Sequence, residues 1–297
     1  MERKTIADYD PDLLVLFDAY VHGHIDRRGF LDKASRFAAG GVTSAMLLDS
    51  LNPKFIEAQK VPKDDARIKA EYVTYPSPAG SGTMKGYLVR PAKAAGKLPG
   101  VLVIHENRGL NPHIEDIARR LALDNFVAFA PDALTPLGGY PASGEEEARA
   151  LFGKLDRPKT EQDMLAAVTY LQKHAESTGR FGAVGFCWGG QMVNFLATRV
   201  PELGAAVPFY GSAPPDADVP KIKAPLLIHL AGTDTRINAG WPAFEAALKA
   251  ANVKYVMHMY EGASHGFNND TTPRYDEKAA TLAWTRTLEF FNANLRK

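Results

Sequence analysis

The 297-residue sequence contains a single cysteine, Cys187. One cysteine cannot form an intramolecular disulfide, so a disulfide-stapled fold is excluded and the cysteine count leaves the cellular compartment open. No apolar run is long enough to cross a bilayer, so the sequence predicts no stable membrane insertion. Blocks of like charge are also missing, because 35 Lys and Arg residues balance 34 Asp and Glu residues at a net charge of +1. Nucleic acid is therefore not an expected partner.

Residues 66–297 alternate short apolar runs with amphipathic segments. The runs EYVTYP and MKGYLVRP predict an opening hairpin. The continuous apolar run PGVLVIHE follows, as is typical of a strand buried on both faces. Helical and strand segments then alternate to the end of the chain. This pattern predicts an α/β domain with a mainly parallel central sheet flanked by helices.

Residues 1–65 carry few strand signals and differ in character from the rest. DYDPDLLVLFDAY places apolar residues at helical spacing. Arg27 and Arg28, followed by a moderately apolar stretch, resemble a twin-arginine export signal with a cleavage site after Ala58. Two interpretations stay open. The segment is either a helical extension that packs on the main domain of a cytoplasmic protein, or a signal that directs the chain to the periplasm.

The stretch AVGFCWGGQMV places Cys187 between Gly185 and Gly189, where a predicted strand meets a predicted helix. The pattern G-x-C-x-G has the shape of a nucleophile elbow, in which serine is the usual central residue. At the start of a helix, backbone N–H groups and the helix dipole favour a thiolate. The alternative is a small buried residue in a tight turn.

Two further residues follow predicted strands. Asp234 comes after APLLIHLAGT, and His265 comes after VKYVMHMYEGAS. The order cysteine, aspartate, histidine is the α/β-hydrolase order of nucleophile, acid and base. Separately, Asp234 could cap a helix and His265 could be a loop histidine, but the three together predict a catalytic triad.

These motifs identify a resemblance to the dienelactone hydrolase family, the carboxymethylenebutenolidases of the α/β-hydrolase fold. The carriers are GFCWGG, AGTDTR, GASHGF and VIHENRGLN, and the likeness covers residues 70–297. The resemblance implies hydrolysis of a small-molecule ester or lactone through a thioester intermediate. It implies no cofactor and no metal. His22 and His24 in VHGH have no third ligand nearby in the sequence, so they do not predict a metal site either.

Glu106 ends the strand PGVLVIH, where the family has a glutamate that contacts the resting cysteine. A carboxylate there would hold the thiol protonated or accept its proton. The alternative is a loop carboxylate paired with Arg108. The oxyanion hole is expected to use the backbone N–H groups of Trp188 and Asn107.

The sequence departs from the family at the two arginines that bind the substrate carboxylate. Thr135 and Pro136 stand near one position, and Asn269 stands at the other. We therefore expect neutral esters or lactones to be better substrates than carboxylates. The candidate substrate-binding residues, which include two arginines able to replace the missing pair, are Arg108, Arg236, Tyr140, Tyr210 and Phe267.

Two alternative functions stay open at this point. The same triad would serve a thioesterase or a peptidase. A non-catalytic protein that binds a ligand or senses redox state through its lone thiol is the other alternative. Such a sensor has no use for Asp234 and His265 at matching strand ends.

Overall fold

The computed structural model describes residues 4–296 and is built on one eight-stranded sheet. The spatial order of the strands is β1-β2-β4-β3-β5-β6-β7-β8. Strand β2 is antiparallel to β1 and β4, and the other neighbouring pairs are parallel. The predicted α/β-hydrolase class is confirmed, including the opening hairpin. The strands are β1 (Ile68–Ser77), β2 (Gly82–Pro91), β3 (Leu98–Ile104), β4 (Val127–Pro131), β5 (Ser177–Phe186), β6 (Ala205–Phe209), β7 (Leu226–Ala231) and β8 (Tyr255–Tyr260).

Helices precede the sheet and then alternate with its strands. Those before it are α1 (Pro11–Val21), α2 (Arg27–Ala34), α3 (Ser44–Leu51) and α4 (Phe55–Ala58). Those after its first strands are α5 (Pro112–Leu123), α6 (Glu145–Phe152), α7 (Arg157–Lys173), α8 (Trp188–Arg199), α9 (Thr235–Asn238), α10 (Trp241–Ala250) and α11 (Glu277–Leu295). Short 3-10 turns lie at Ile6–Asp8, Ser35–Phe37, Thr135–Leu137 and Asp216–Lys221. None of the helices in residues 4–296 has both the length and the apolar character needed to span a membrane.

The sheet divides the main core into two apolar layers. Alternate residues of a strand point to opposite faces. Accordingly, Leu102 and Ile104 of β3 belong to one apolar cluster, and Val101 and Val103 belong to the other. Strands β4, β6 and β7 are buried at every position, because helices cover both faces of the sheet.

A third apolar cluster belongs to the N-terminal helices. Its fully buried members include Phe30 and Leu51, with Leu13 and Phe17 nearly so. Helix α1 begins at Pro11, where proline is tolerated, and the Asp10 carboxylate accepts a 2.8 Å hydrogen bond from the Asp12 N–H. We call residues 4–65 the extension. The sequence analysis divides the chain into residues 1–65 and 66–297. Residues 1–3 of the first segment and residue 297 of the second lie outside the described residues.

The extension packs against loops of the main domain. The Arg274 guanidinium lies 3.3 Å from the Asp18 carboxylate, and the Arg149 guanidinium lies 3.8 Å from the centre of the Tyr20 ring. The Asn107 amide donates a 2.9 Å hydrogen bond to the carbonyl of Val21. These contacts hold α1 above the edge of the sheet where the parallel strands end.

The twin-arginine alternative stays a prediction. Arg27 and Arg28 are the first two residues of α2, and Ala58 is the last residue of α4. Cleavage after Ala58 would therefore remove all four N-terminal helices and the third apolar cluster together.

Replacement of one buried ring tests whether the extension has a core of its own. Phe30→Ala removes a fully buried ring and leaves a cavity, which typically costs about 3–5 kcal/mol. We expect faster amide hydrogen exchange across α1–α3 and little change in β3–β7. Val15→Ala is the control, because Val15 is 70% exposed and such changes stay within about 0.5 kcal/mol. Equal exchange in the two variants would contradict a separate core.

Candidate active site

The turn between β5 and α8 holds Cys187 in a strained conformation, with φ 56° and ψ −114°. A Cβ atom on Gly185 would lie 2.2 Å from the carbonyl oxygen of Gly189. A Cβ atom on Gly189 would lie 2.2 Å from the carbonyl oxygen of Ile104. Only glycine fits at either position, and this close packing brings α8 directly over the end of β5.

Asp234 and His265 lie at neighbouring strand ends and are in contact. The Nδ1 atom of His265 lies 2.5 Å from Oδ2 of Asp234, within hydrogen-bond distance. Asp234 also caps α9, because its Oδ1 accepts a 3.2 Å hydrogen bond from the N–H of Ile237. The capping role and the catalytic role expected from the sequence therefore coexist in one carboxylate. Nε2 of His265 is buried without a hydrogen-bond partner, and a ring nitrogen of His265 lies within 4.8 Å of the Cys187 sulfur.

The extension adds a second imidazole to the site. Nε2 of His22 lies 3.7 Å from Sγ of Cys187, and the His22 ring packs edge-on against His265 with 4.9 Å between ring centres. Nδ1 of His22 lies 2.8 Å from the carbonyl oxygen and 3.3 Å from the carboxylate of Asp18. The Arg236 guanidinium lies 3.1 Å from His22 Nε2. The thiol thus lies between two imidazoles, each paired with an aspartate.

These neighbours favour the ionised thiol. Burial raises the pKa of Cys187, but the charge of His265 and the hydrogen bond from His22 outweigh it and lower the pKa to about 6. Burial lowers the pKa of His265, but the thiolate and the bond to Asp234 outweigh it, so the net shift is upward. An ion pair between thiolate and imidazolium is the protonation state that the geometry favours.

Glu106 lies two residues beyond β3 and is 5% exposed. Its Oε2 accepts a 3.0 Å hydrogen bond from the side-chain amide of Asn269. Burial raises the pKa of Glu106, but the positive charges of Arg108, His113 and other neighbours outweigh it and lower the pKa. The carboxylate is therefore held ionised, with Asn269 as its hydrogen-bond partner, and it does not line the cavity beside Cys187.

A cavity of about 510 Å³ opens beside the thiol. Of the residues expected from the sequence, Cys187, Trp188, Asn107, Tyr210, Arg236 and His265 line it. Residues 20–23 and 25–27 of the extension form one wall, and α6 forms another with Glu146, Arg149 and Phe152. The cavity therefore lies between the extension and the carboxyl edge of the sheet.

The structure places three candidate substrate-binding residues elsewhere. Arg108 is buried and donates a 2.7 Å hydrogen bond to Glu145, and the Tyr140 hydroxyl donates a 2.9 Å hydrogen bond to the same carboxylate. Phe267 is fully buried and packs against the rings of Tyr210 and Tyr260. None of the three lines the cavity beside Cys187.

Sequence reasoning missed the contribution of the extension to the site. His22 and Asp18 precede Cys187 by more than 160 residues, and no local pattern marks their contact with it. The signal was the i, i+4 spacing of Asp18 on α1 and His22, the residue just after the helix, which places the two side chains on one side of it. Within the described chain, His22, Cys187 and His265 also form the one group of three potential metal ligands.

Comparison with known proteins finds similarity over both parts of the chain. A model of the dienelactone hydrolase family matches residues 84–295, and a model described as YqhI-like matches residues 1–40. An Escherichia coli (strain K12) protein named "Putative carboxymethylenebutenolidase" is 35% identical over 243 residues, covering 77% of this chain and 88% of that protein. The "Putative hydrolase fragment YghX" of the same strain is 50% identical over 115 residues, covering 39% of this chain and 97% of the fragment.

A solved structure shows the same similarity. The crystal structure of a "Putative Dienelactone Hydrolase" from Klebsiella pneumoniae superimposes with a TM-score of 0.65 at 28% sequence identity. The match covers 75% of this chain and 98% of that one.

The contact between His22 and Cys187 predicts how the reactivity of the thiol depends on pH. Iodoacetamide alkylates the thiolate, so its rate should reach half its maximum near the thiol pKa of about 6, below the ~8.5 of a free thiol. His22→Ala removes a hydrogen bond that lowers this pKa, so the midpoint should move upward. His24→Ala is the control, because His24 is exposed and makes no contact with the sulfur. A midpoint unchanged by His22→Ala would contradict the interaction.

Proposed function

The chain belongs to the dienelactone hydrolase family, and we propose that it carries out the hydrolysis typical of that family through a thioester on Cys187. Membership makes it a hydrolase of small-molecule esters or lactones. The proposal concerns the nucleophile and the intermediate. One observation carries it: Nδ1 of His265 is hydrogen-bonded to Asp234 while its free Nε2 faces the cysteine in the elbow.

The acylation step follows from this arrangement. The Cys187 thiolate attacks the carbonyl carbon, and the carbonyl π electrons move onto the oxygen. When the tetrahedral intermediate collapses, the C–O bond to the leaving group breaks and the His265 imidazolium protonates the departing alkoxide. An ester releases an alcohol, and a lactone opens to a hydroxyacyl group that stays attached through sulfur.

Deacylation uses the same histidine in the opposite sense. Neutral His265 takes a proton from water, and the resulting hydroxide attacks the thioester carbonyl. Collapse of this second intermediate releases the carboxylic acid and restores the thiolate and imidazolium. The Asp234 carboxylate keeps the imidazole ring oriented and stabilises its positive charge in both steps.

Backbone N–H groups are proposed to stabilise the developing oxyanion. Trp188 begins α8, where the first N–H groups have no partner within the helix. Asn107 follows β3. Its side-chain amide donates a hydrogen bond to the carbonyl of Val21, so the side chain does not compete with the backbone N–H group for the substrate oxygen. Glu106 is proposed to act through its negative charge, which repels the resting thiolate and so raises the pKa of Cys187.

The surroundings of the cavity support a preference for neutral substrates. Glu145 neutralises Arg108, and the amide of Asn269 is engaged by Glu106. Arg236 is the candidate arginine that lines the cavity, and it lies against His22. The two positions where the family has arginine thus supply no cation to a substrate carboxylate. Three further arginines line the cavity: Arg27, which is paired with Glu146, Arg149, which lies over the Tyr20 ring, and Arg157.

Removal of individual triad members gives the first test of this proposal. Cys187→Ala and His265→Ala should each lower kcat on the order of 10³-fold or more, and the double variant should be no worse than either. Asp234→Asn should cost less, because the ring loses its orienting partner but remains present. His174→Ala is the control, as His174 is half-buried just after α7 and does not line the cavity beside Cys187. Wild-type turnover by Cys187→Ala would exclude the thioester route.

A matched pair of substrates that differ only in a carboxylate and its methyl ester gives the second test. We expect a higher kcat/KM for the methyl ester. A carboxylate that loses its hydration on entering the cavity without a cationic partner costs several kcal/mol of binding free energy. A higher kcat/KM for the acid would contradict this expectation. Arg236→Ala would then show whether the guanidinium that lines the cavity provides the missing charge.

A further inference from the structure

Three metal-binding atoms converge where the extension meets the elbow. One ring nitrogen of His22, Sγ of Cys187 and one ring nitrogen of His265 all lie within 4.8 Å of one another. His265 is only 7% exposed, yet its Nε2 has no hydrogen-bond partner. Imidazole nitrogen and thiolate sulfur are the donors that Zn²⁺ prefers.

Carboxylates orient both imidazoles for such a role. Nδ1 of His265 is bound to Asp234 at 2.5 Å, and Nδ1 of His22 lies 3.3 Å from the carboxylate of Asp18. Each Nε2 atom is thereby directed at the sulfur. Histidines that bind zinc commonly carry this carboxylate on the other ring nitrogen, where it fixes the ring and raises its basicity.

The distances are close to those of a tetrahedral site. With zinc bonds of about 2.0 Å to nitrogen and 2.3 Å to sulfur, a ligand nitrogen and the sulfur lie about 3.5 Å apart. Nε2 of His22 already lies 3.7 Å from Sγ. The other pairs lie within 4.8 Å and need to approach by at most about 1.5 Å, judged from the same bond lengths. The fourth position opens on the 510 Å³ cavity, where a water molecule fits.

We propose that His22, Cys187 and His265 bind one Zn²⁺ or a similar thiophilic divalent cation, and that the bound cation reversibly blocks hydrolysis. The sulfur and both Nε2 atoms donate lone pairs to the metal, and any proton they share passes to solvent. No electron is transferred. Binding rests on the geometry alone, whereas inhibition rests on the proposed role of Cys187 as nucleophile.

The charged residues around the proposed metal site predict how one substitution changes its affinity. Asp18 and Asp234 favour a cation, and Glu106 adds a third negative charge nearby. Arg236 opposes it, because its guanidinium lies 3.1 Å from the His22 nitrogen that must face the metal. Arg236 is exposed, so its side chain can turn away. Arg236→Ala should therefore strengthen metal binding.

Cobalt gives a readout that does not depend on turnover. Titration of the full-length protein with Co²⁺ should saturate at one ion per chain and produce a thiolate-to-cobalt charge-transfer band, which Zn²⁺ then abolishes by displacement. Cys187→Ser should lose the band. Asp18→Asn should weaken binding about 10–100-fold, as loss of a carboxylate partner to a metal-bound histidine does, and His22→Ala should weaken it at least as much. His24→Ala should bind as the wild type does.

Two results would overturn the site. One is the absence of a charge-transfer band in the wild type. The other is equal affinity in the wild type, His22→Ala and Asp18→Asn, which would leave a cysteine and one histidine as the only ligands. Because His22→Ala could loosen the extension, hydrogen exchange of α1–α3 accompanies each titration. Asp18→Asn also removes a contact with Arg274, so if the exchange rises in one of the two variants, the comparison rests on the other.

Inhibition is measured separately, as the rate of ester hydrolysis at free Zn²⁺ concentrations that a chelator holds constant. We expect loss of turnover at the Zn²⁺ concentration that displaces Co²⁺, and full recovery when excess chelator is added. Undiminished turnover with zinc bound would overturn the inhibitory role. Hydrolysis that persists in Cys187→Ala would refute the proposed nucleophile but leave the cobalt result, and hence the metal site, standing.

Discussion

The backbone of the turn at Cys187 leaves no room for a side chain on Gly185 or Gly189, and the geometry of the site depends on that constraint. The close approach forces β5 into α8 so sharply that the cysteine between them takes a positive φ. The thiol therefore stands at the carboxyl edge of the sheet and at the start of a helix. The ends of β7 and β8 reach the same edge because the strands are parallel, which brings Asp234 and His265 beside it.

The extension changes the chemistry of that edge. Without it, the thiol would face one imidazole and an open surface. Helix α1 and the turn that follows it add Asp18 and His22, form a wall of the cavity, and place the sulfur between two imidazole–carboxylate pairs. The same convergence that lowers the thiol pKa also creates a set of ligands for a soft cation. Reactivity toward esters and affinity for zinc are, in this account, two consequences of one arrangement.

The fold and the convergence of Cys187, Asp234 and His265 were predictable because both follow from local sequence. Strands β5 and β7 include apolar runs, β8 is a partly exposed edge strand, and each of the three residues lies just beyond the end of one of these strands. The contact of His22 with Cys187 was not predictable, since it depends on how α1 packs across the domain. Burial of Arg108 and the hydrogen bond from Tyr140 to Glu145 were missed for a similar reason, because Glu145 lies on α6, a helix that the apolar pattern does not mark. Phe267 likewise carries no local sign that it packs into the core rather than beside the substrate.

The central claim is that acyl transfer passes through a thioester on Cys187. The most direct measurement mixes the enzyme with an aryl ester, quenches it in acid within the first turnover, and determines the mass of the protein and its peptides. The account predicts a burst of released phenol and a mass increase equal to one acyl group, located on the peptide that contains Cys187 and removable by hydroxylamine. A full-sized burst with the acyl group on another residue, or steady hydrolysis with no acylated protein at any time point, would contradict it.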